Sequence, residues 1–205
     1  MANIYGTLFN DDGVTRPALK GKYDPILRVD LNGNWLYVDQ PDTIYGLSGN
    51  DKIIALNTND FLYGHSGNDQ LFGNGGNDLL NGGADNDHLY GGTGNDQLFG
   101  ESGKDFLRGG VTTKGQSGYD TYTGGSGADT FDLLGYYGNG YATITDYSRA
   151  AGDKISLPSE LSYHLVELGS DTLIYTDYSN DLLGIVEDNL NLNFSLDFSF
   201  YNTIL

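Results

Sequence analysis

The chain has 205 residues, with 28 acidic side chains against 10 basic ones, a net charge of −18 and no cysteine. That charge excludes non-specific nucleic-acid binding through a basic surface, and the absence of cysteine excludes a disulfide scaffold, a thiolate metal site and a cysteine nucleophile. No apolar run approaches the ~20 residues of a spanning helix, and the start MANIYGTLFNDDG has neither the basic nor the apolar region of a Sec-type signal, so neither is expected.

Composition divides the chain in three. Residues 1–36 balance four acids with four bases and hold Trp35, whereas residues 37–132 carry 14 acids, four bases and 21 of the 31 glycines, and residues 133–205 carry ten acids and two bases. The expected organisation is an N-terminal cap (1–36), a repeat region (37–132) and a C-terminal cap (133–205).

The repeat region has a period of nine. Rows begin at residues 37, 46, 55, 64, 73, 82, 91 and 100 and, after an insertion of six residues (109–114), at 115 and 124. Position six is Asp in all ten rows: Asp42, Asp51, Asp60, Asp69, Asp78, Asp87, Asp96, Asp105, Asp120 and Asp129. Position eight is apolar in every row, from Ile44 through Leu62 and Leu98 to Tyr122 and Phe131. Each row reads as a turn, G-x-x-G-x-D, and a three-residue strand whose middle side chain points opposite to its neighbours. One row buries a single apolar side chain, which cannot offset the ~1–2 kcal/mol of backbone entropy lost by each ordered residue. Rows must therefore stack, two to a coil of 18 residues, as two parallel sheets with the position-eight side chains between them. Gly6-Thr7-Leu8-Phe9-Asn10-Asp11 looks like one degenerate copy.

Stacking aligns the Asp residues in two columns, one containing Asp51, Asp69, Asp87, Asp105 and Asp129, the other Asp42, Asp60, Asp78, Asp96 and Asp120. Carboxylates one strand spacing (~4.8 Å) apart repel by roughly 0.9 kcal/mol per pair even in bulk water. A hard divalent cation between successive turns removes that repulsion. Ca²⁺ suits the available ligands, Asp oxygens and glycine-rich carbonyls, better than Mg²⁺, which dehydrates reluctantly and demands a tight octahedron.

Rows 64–108 and 115–132 closely resemble the nonapeptide G-G-x-G-x-D-x-U-x of RTX (hemolysin-type) calcium-binding repeat proteins. The resemblance implies an all-β, right-handed parallel β-roll in which each ion takes the carbonyls of positions two and four with the Asp of one row, and the carbonyls of positions one and three with the Asp of the next row in its column. Carried over, the first column implies four sites. They draw on Leu47, Gly49 and Asp51 with Gly64, Ser66 and Asp69; on His65 and Gly67 with Gly82, Ala84 and Asp87; on Gly83 and Asp85 with Gly100, Ser102 and Asp105; and on Glu101 and Gly103 with Gly124, Ser126 and Asp129. The second column implies two, from Asn74, Gly76 and Asp78 with Gly91, Thr93 and Asp96, and from Gly92 and Gly94 with Gly115, Ser117 and Asp120. Gly73 and Gly75 complete the glycine turn of row 73–81, for about six ions in all. Row 37–45 lacks the turn glycines and row 55–63 has Ala55 and Thr58 in their place, so Asp42 and Asp60 stand outside the six sites and whether they bind calcium is left open. Asp85 replaces the second turn glycine of its row, where Asp can adopt a left-handed conformation.

Positions seven and nine should face outward and bring aromatic rows to the surface: Tyr45, Phe61, Tyr63 and Phe99 on one sheet, and Phe72, Tyr90 and Phe106 on the other. Such rows suit a glycan or protein partner, or a covering flank segment. Beyond Asp129, the segments 141–147, 153–157, 163–168, 172–176 and 182–187 alternate in polarity and read as antiparallel strands, similar to the capping module that follows RTX repeats. Asp146 and Asp153 stand open between solvated turn residues and further ligands. From Ile155 to Leu205 there is no Lys or Arg, and the ending NLNFSLDFSFYNTIL is similar to signals for the type I secretion machinery. HExxH and GxSxG motifs are absent, which disfavours a metalloprotease or serine hydrolase, and His65, His88 and His164 are scattered. The expected protein is a secreted, extracellular or cell-surface calcium-binding module rather than an enzyme; the alternative is an accessory domain of a secreted polysaccharide- or ester-acting enzyme.

Overall fold

The computed structural model describes residues 3–5, 28–29, 35–36, 41, 43–110, 118–136, 140–177, 179–188 and 192–201. The x-U-x triplets form strands because their alternation buries one side chain and leaves its neighbours at the surface, as in Phe61–Ser66, Gln70–Gly75, Leu79–Ala84 and His88–Thr93. From Thr43 to Pro158 successive strands pass alternately to two sheets. One stacks Asn3–Tyr5, Thr43–Ser48, Phe61–Ser66, Leu79–Ala84, Gln97–Gly103, Tyr119–Gly127 and Tyr141–Ile144, then Leu182–Val186, Asp171–Thr176 and Tyr163–Leu168. The other stacks Arg28–Val29, Trp35–Leu36, Lys52–Ile54, Gln70–Gly75, His88–Thr93, Phe106–Arg108, Thr130–Asp132, Lys154–Pro158 and Phe198–Tyr201.

The expected two-sheet parallel roll is what the chain forms. Lys52 pairs with Gln70 and Gln70 with His88, a coil of 18 residues, and the step widens to 24 at the insertion, where Gln97 pairs with Thr121. Position eight supplies the core: Leu62, Leu71, Leu80, Leu89, Leu98, Leu107, Tyr122 and Phe131 have no solvent exposure. At ~1.5–3 kcal/mol for each fully buried side chain, this column is the main apolar contribution to the stack. Its two aromatics, Tyr122 and Phe131, lie nearly parallel, with ring centroids 6.4 Å apart.

The C-terminal segments differ from the sequence expectation. Tyr141–Ile144 and Lys154–Pro158 are parallel, not antiparallel, and continue the roll: Asp120 pairs with Ala142, and Phe131 with Ile155. Phe198–Tyr201 adds one more parallel strand, Ile155 pairing with Phe198, which sets Asp197 at position seven, beside Lys154, rather than in the position-six column. The period was hidden because the connections lengthen beyond nine residues. In the C-terminal part, antiparallel pairing is limited among the described residues to the meander of Tyr163–Leu168, Asp171–Thr176 and Leu182–Val186, which joins the first sheet through a parallel contact between Ala142 and Gly184; Arg28–Val29 and Trp35–Leu36 form an antiparallel pair at the other end.

At the other end, Asn3–Tyr5 pairs with Thr43–Tyr45 and Trp35–Leu36 with Ile53–Ile54, so both sheets reach into the N-terminal segment. The degenerate copy at residues 6–11, Asp42, Gly115 and Ser117 lie outside the described residues. Among the described residues no helix is long and apolar enough to cross a membrane.

Candidate metal centres along the turn columns

Each turn column is built on a ladder of position-six carboxylates. The backbone amide of one Asp donates to Oδ1 of the Asp one coil on: Asp51 to Asp69 at 2.7 Å, Asp69 to Asp87 at 2.7 Å, Asp87 to Asp105 at 2.8 Å and Asp105 to Asp129 at 2.9 Å. The second column repeats this from Asp60 to Asp78, Asp96 and Asp120. The described position-six residues, from Asp51 and from Asp60 onward, thus stand in two columns, and from Asp69 and Asp78 onward each carboxylate has one oxygen fixed by a backbone amide.

The second oxygen is left over. Oδ2 of Asp51, Asp69, Asp78, Asp87, Asp96, Asp105 and Asp129 is buried without a hydrogen-bond partner. Desolvation by burial, with the neighbouring carboxylates adding to it, pushes the Asp51, Asp78 and Asp87 carboxyls up to about 7 and Asp96 up to about 8. Asp69 and Asp105 rise to about 6, also through burial, with the amide bond to the preceding Asp opposing it. An unpaired buried carboxylate oxygen is costly unless a charge or donor meets it. Seven at regular spacing call for a repeated cation.

The turn glycines leave room for one. A Cβ on Gly46 would lie 2.7 Å from Asp51 Oδ2 and 2.8 Å from the carbonyl oxygen of Gly64, and Cβ atoms on Gly64, Gly73 and Gly100 would each stand 2.6 Å from the position-one carbonyl of the next coil. Position one thus opens onto a cradle lined by a carboxylate oxygen and a carbonyl. Position two is left-handed even without glycine, at Leu47, His65, Asn74 and Glu101 with φ of 68–82°. Asp85 has φ of 78°, the conformation expected of it, and its carbonyl keeps the place of a position-four carbonyl: a Cβ on Gly103 would meet the Asp85 carbonyl carbon at 2.5 Å. Among the described residues no three His, Asp or Glu side chains converge. An ion here would draw on two Asp and on backbone carbonyls, a hard, all-oxygen set of the kind Ca²⁺ takes.

Two features of the columns were not anticipated from the sequence. Position-five Asn side chains form a second ladder: Oδ1 of Asn50 accepts from the amide of Asn68, Asn68 from Asn86 and Asn86 from Lys104, and on the other edge Asn59 from Asn77, Asn77 from Asn95 and Asn95 from Tyr119. The signal was available, since six consecutive rows from Asn50 to Asn95 have Asn there.

Protein groups also close the column ends. Tyr136 donates its hydroxyl to Asp120 Oδ2 and contacts the Tyr122 hydroxyl at 2.8 Å, and position six of the next coil is Ala142. In the other column Asp129 donates to Asp153 Oδ1 at 2.9 Å, while Asp153 Oδ2 accepts from Ser148 at 2.8 Å. Beyond it Asp197, fully buried, holds the Arg149 guanidinium at 2.5 Å and the Tyr147 hydroxyl at 2.8 Å. Burial alone would raise the Asp197 carboxyl, but Arg149, the Asn193 amide and Tyr147 outweigh it and hold it below the usual range. Asp146 accepts from the amides of Gly124 and Gly125 with its two oxygens. Asp146 and Asp153 are thus amide acceptors rather than solvated turn residues.

Row 55–63 shows what a lost cradle looks like. Ala55 carries the Cβ that position one elsewhere lacks, its carbonyl accepts from Asn74 Nδ2 at 2.5 Å, and Asp60 Oδ1 accepts from Thr58 at 3.1 Å. The insertion is accommodated by Gly109, whose Cβ would stand 2.5 Å from the Asp120 carboxyl carbon, as at other position-one glycines.

The outward aromatics stack along the sheets. Tyr45 lies over Tyr63 at 5.2 Å and Phe72 over Tyr90 at 4.8 Å, close to the strand spacing, while Lys52 sits over Phe72 and Arg108 over Tyr90 and Phe106. Ring faces are largely used within the stack, and Phe61 is the most exposed of the expected surface aromatics, at 44%. Phe99 is half-buried. His65 stacks beside Tyr45 and Tyr63, and His164 pairs with Asp177, so neither imidazole joins the columns.

Residues 39–71, 72–107 and 114–133 match the RTX calcium-binding nonapeptide repeat. Fourteen chains of solved structures match as well. One is the solution structure of the AlgE6R3 subunit from the Azotobacter vinelandii mannuronan C5-epimerase, 21% identical, covering 60% of this chain and 77% of that one with a TM-score of 0.42. No curated protein matches the chain.

Proposed function

We propose that this chain, whose residues 39–71, 72–107 and 114–133 match the RTX calcium-binding nonapeptide repeat, is a secreted module whose folding is driven by calcium and which serves as a structural or binding element at the cell surface or in the matrix. The reading rests on the seven buried, unpartnered Asp Oδ2 atoms. Six ions are proposed, four along the first column between the rows beginning at 46, 64, 82, 100 and 124, and two along the second between those at 73 and 91 and at 91 and 115. Row 55 is passed over because Ala55 fills its cradle and Asn74 takes its carbonyl.

Calcium would act through mass action. With each of six sites held at ten times its Kd, binding adds ~1.4 kcal/mol per site and roughly 8 kcal/mol together, comparable to the stability of a whole domain. In low cytosolic calcium the chain stays largely unfolded and exportable, and it folds on reaching a calcium-rich medium; the Lys- and Arg-free segment 155–205 is the proposed contact with a type I exporter. Phe61 and the neighbouring ring edges offer the contact for a glycan or protein partner.

The test is far-ultraviolet circular dichroism during calcium titration and chelation. Gain of a β spectrum with calcium and its loss in EDTA are expected; a β spectrum at neutral pH that is indifferent to chelation overturns the reading.

A further inference from the structure

Seven position-six Oδ2 atoms are buried without a partner, one more than the gaps between repeats that calcium is proposed to fill. In the repeats Oδ2 stands beside the position-one glycine of its own row, together with the position-one carbonyl of the next coil. A Cβ on Gly46 would lie 2.7 Å from Asp51 Oδ2 and 2.8 Å from the Gly64 carbonyl oxygen, and one on Gly100 would lie 2.5 Å from Asp105 Oδ2 and 2.6 Å from the Gly124 carbonyl oxygen. Each unpartnered Oδ2 thus belongs to the gap that follows its own row. Asp51, Asp69, Asp87 and Asp105 account for the four gaps of the first column, and Asp78 and Asp96 for the two of the second. Asp129 is left over, and the gap after its row lies beyond the repeats.

Row 124–132 offers the same half-site as its predecessors. Gly125 and Gly127, at positions two and four, have φ of 92° and 140°, and a Cβ on Gly124 would stand 2.5 Å from Asp129 Oδ2. The facing half comes from non-repetitive sequence. Pairing of Tyr122 with Ile144 and of Thr130 with Lys154 sets Asp146 at position one and Asp153 at position six of the next coil. Asp153, 3% exposed, accepts the Asp129 amide on Oδ1 at 2.9 Å, as Asp129 accepts that of Asp105. Asp146 holds the turn against the row by accepting the amides of Gly124 and Gly125. The two columns end differently. In the second, Tyr136 donates to Asp120 Oδ2 and Ala142 stands at position six of the next coil, so protein closes that gap. In the first, the Ser148 amide satisfies Asp153 Oδ2, one coil later, and Asp129 Oδ2 stays unmet. Burial pushes the Asp129 carboxyl up against the opposing Asp105 amide, and the charge of Asp153 adds to the push.

We propose that the gap between row 124–132 and the turn from Asp146 to Asp153 is a further calcium site, bounded by Asp129 and Asp153, with the carbonyls of Gly125 and Gly127 as additional ligands. The proposal rests on the calcium reading of the columns. A buried carboxylate oxygen without a partner is costly, and two Asp with backbone carbonyls are the same hard oxygen set that the repeats present. An ion there joins the last repeat to Lys154–Pro158, so calcium occupancy reaches past the repeats into the C-terminal part.

The experiment is anomalous diffraction from crystals of the full chain grown in calcium and exchanged into terbium, with equilibrium dialysis of calcium against the wild type, Asp129→Asn and Asp153→Asn. A terbium peak between Asp129 and Asp153 is expected in addition to those between repeats. In solution Asp153→Asn should bind one ion fewer than the wild type, and Asp129→Asn, which bounds a gap on each side, two fewer. Peaks between the repeats with none between Asp129 and Asp153 would overturn the proposal, as would an unchanged count in a folded Asp153→Asn or a loss of only one ion in Asp129→Asn. Should Asp153→Asn fail to fold, the wild-type diffraction still decides. Absence of terbium from every gap would reject the calcium reading itself, and this site with it.

Discussion

Asp96→Asn separates the two effects of a column carboxylate, because it should stabilise the metal-free roll and destabilise the calcium-loaded one. Asn retains an Oδ1 for the 2.9 Å bond from the Asp78 amide and keeps the shape of the side chain while removing its charge. Burial, with Asp120 adding to it, pushes the Asp96 carboxyl from 3.8 up to about 8. A group with a raised folded pKa binds more protons folded than unfolded, so its stabilisation of the metal-free roll is complete below pH ~4 and is lost as the pH climbs through ~8. Four pKa units correspond to about 5 kcal/mol, the penalty that Asn avoids. With calcium saturating the sites the sign reverses, since Asp96 bounds both proposed gaps of its column; losing two ions at ten times Kd removes ~3 kcal/mol. Urea unfolding followed by circular dichroism, in EDTA at pH 4.5 and pH 8 and again in calcium, gives all the values. Where the metal-free wild type is unfolded at pH 8, an osmolyte such as TMAO brings both chains onto the same transition. A variant less stable than wild type in EDTA at pH 8, or an advantage of the same size at pH 4.5, would refute desolvated charge as the defect that calcium repairs.

Two further changes test the cradle and the column end. Replacing Ala55, Thr58 and Asn74 together by glycine reopens the turn that row 55–63 closes, and equilibrium dialysis should show one more bound calcium per chain; an unchanged count would show that the position-one Cβ is not what excludes the ion. Arg149→Met removes the guanidinium from buried Asp197, and thermal unfolding in calcium should fall at pH 7 with the ion count unaltered. Because Asp197 is held below its usual range, its contribution is present above pH ~4 and lost on acidification, so the difference between the two proteins should shrink towards pH 3; a difference independent of pH would refute the ion pair as its source.

The nine-residue period was enough to place Asp51 to Asp129 in two columns, to bury Leu62 to Leu107 between two parallel sheets and to mark row 55–63 as defective, since each follows from local periodicity and the need to stack. Position-six carboxylates announce a cation because like charges one strand apart cannot be left bare. Other features were decided only by how distant segments meet. Asp153 lies 24 residues beyond Asp129, and the strand Phe198–Tyr201 follows a long excursion through the meander, so no fixed spacing connects either to the repeats. Tyr136 and Arg149 close the columns through space, and an amide paired with Asp146 looks in sequence like any other turn. Ring stacking along the outer faces likewise comes from strand register and not from residue type, which is why exposed aromatics at positions seven and nine became mostly half-buried ladders. Repetition encodes its own packing, because every row meets a copy of itself; where repetition ends, the partners are unique, and only folding brings them together.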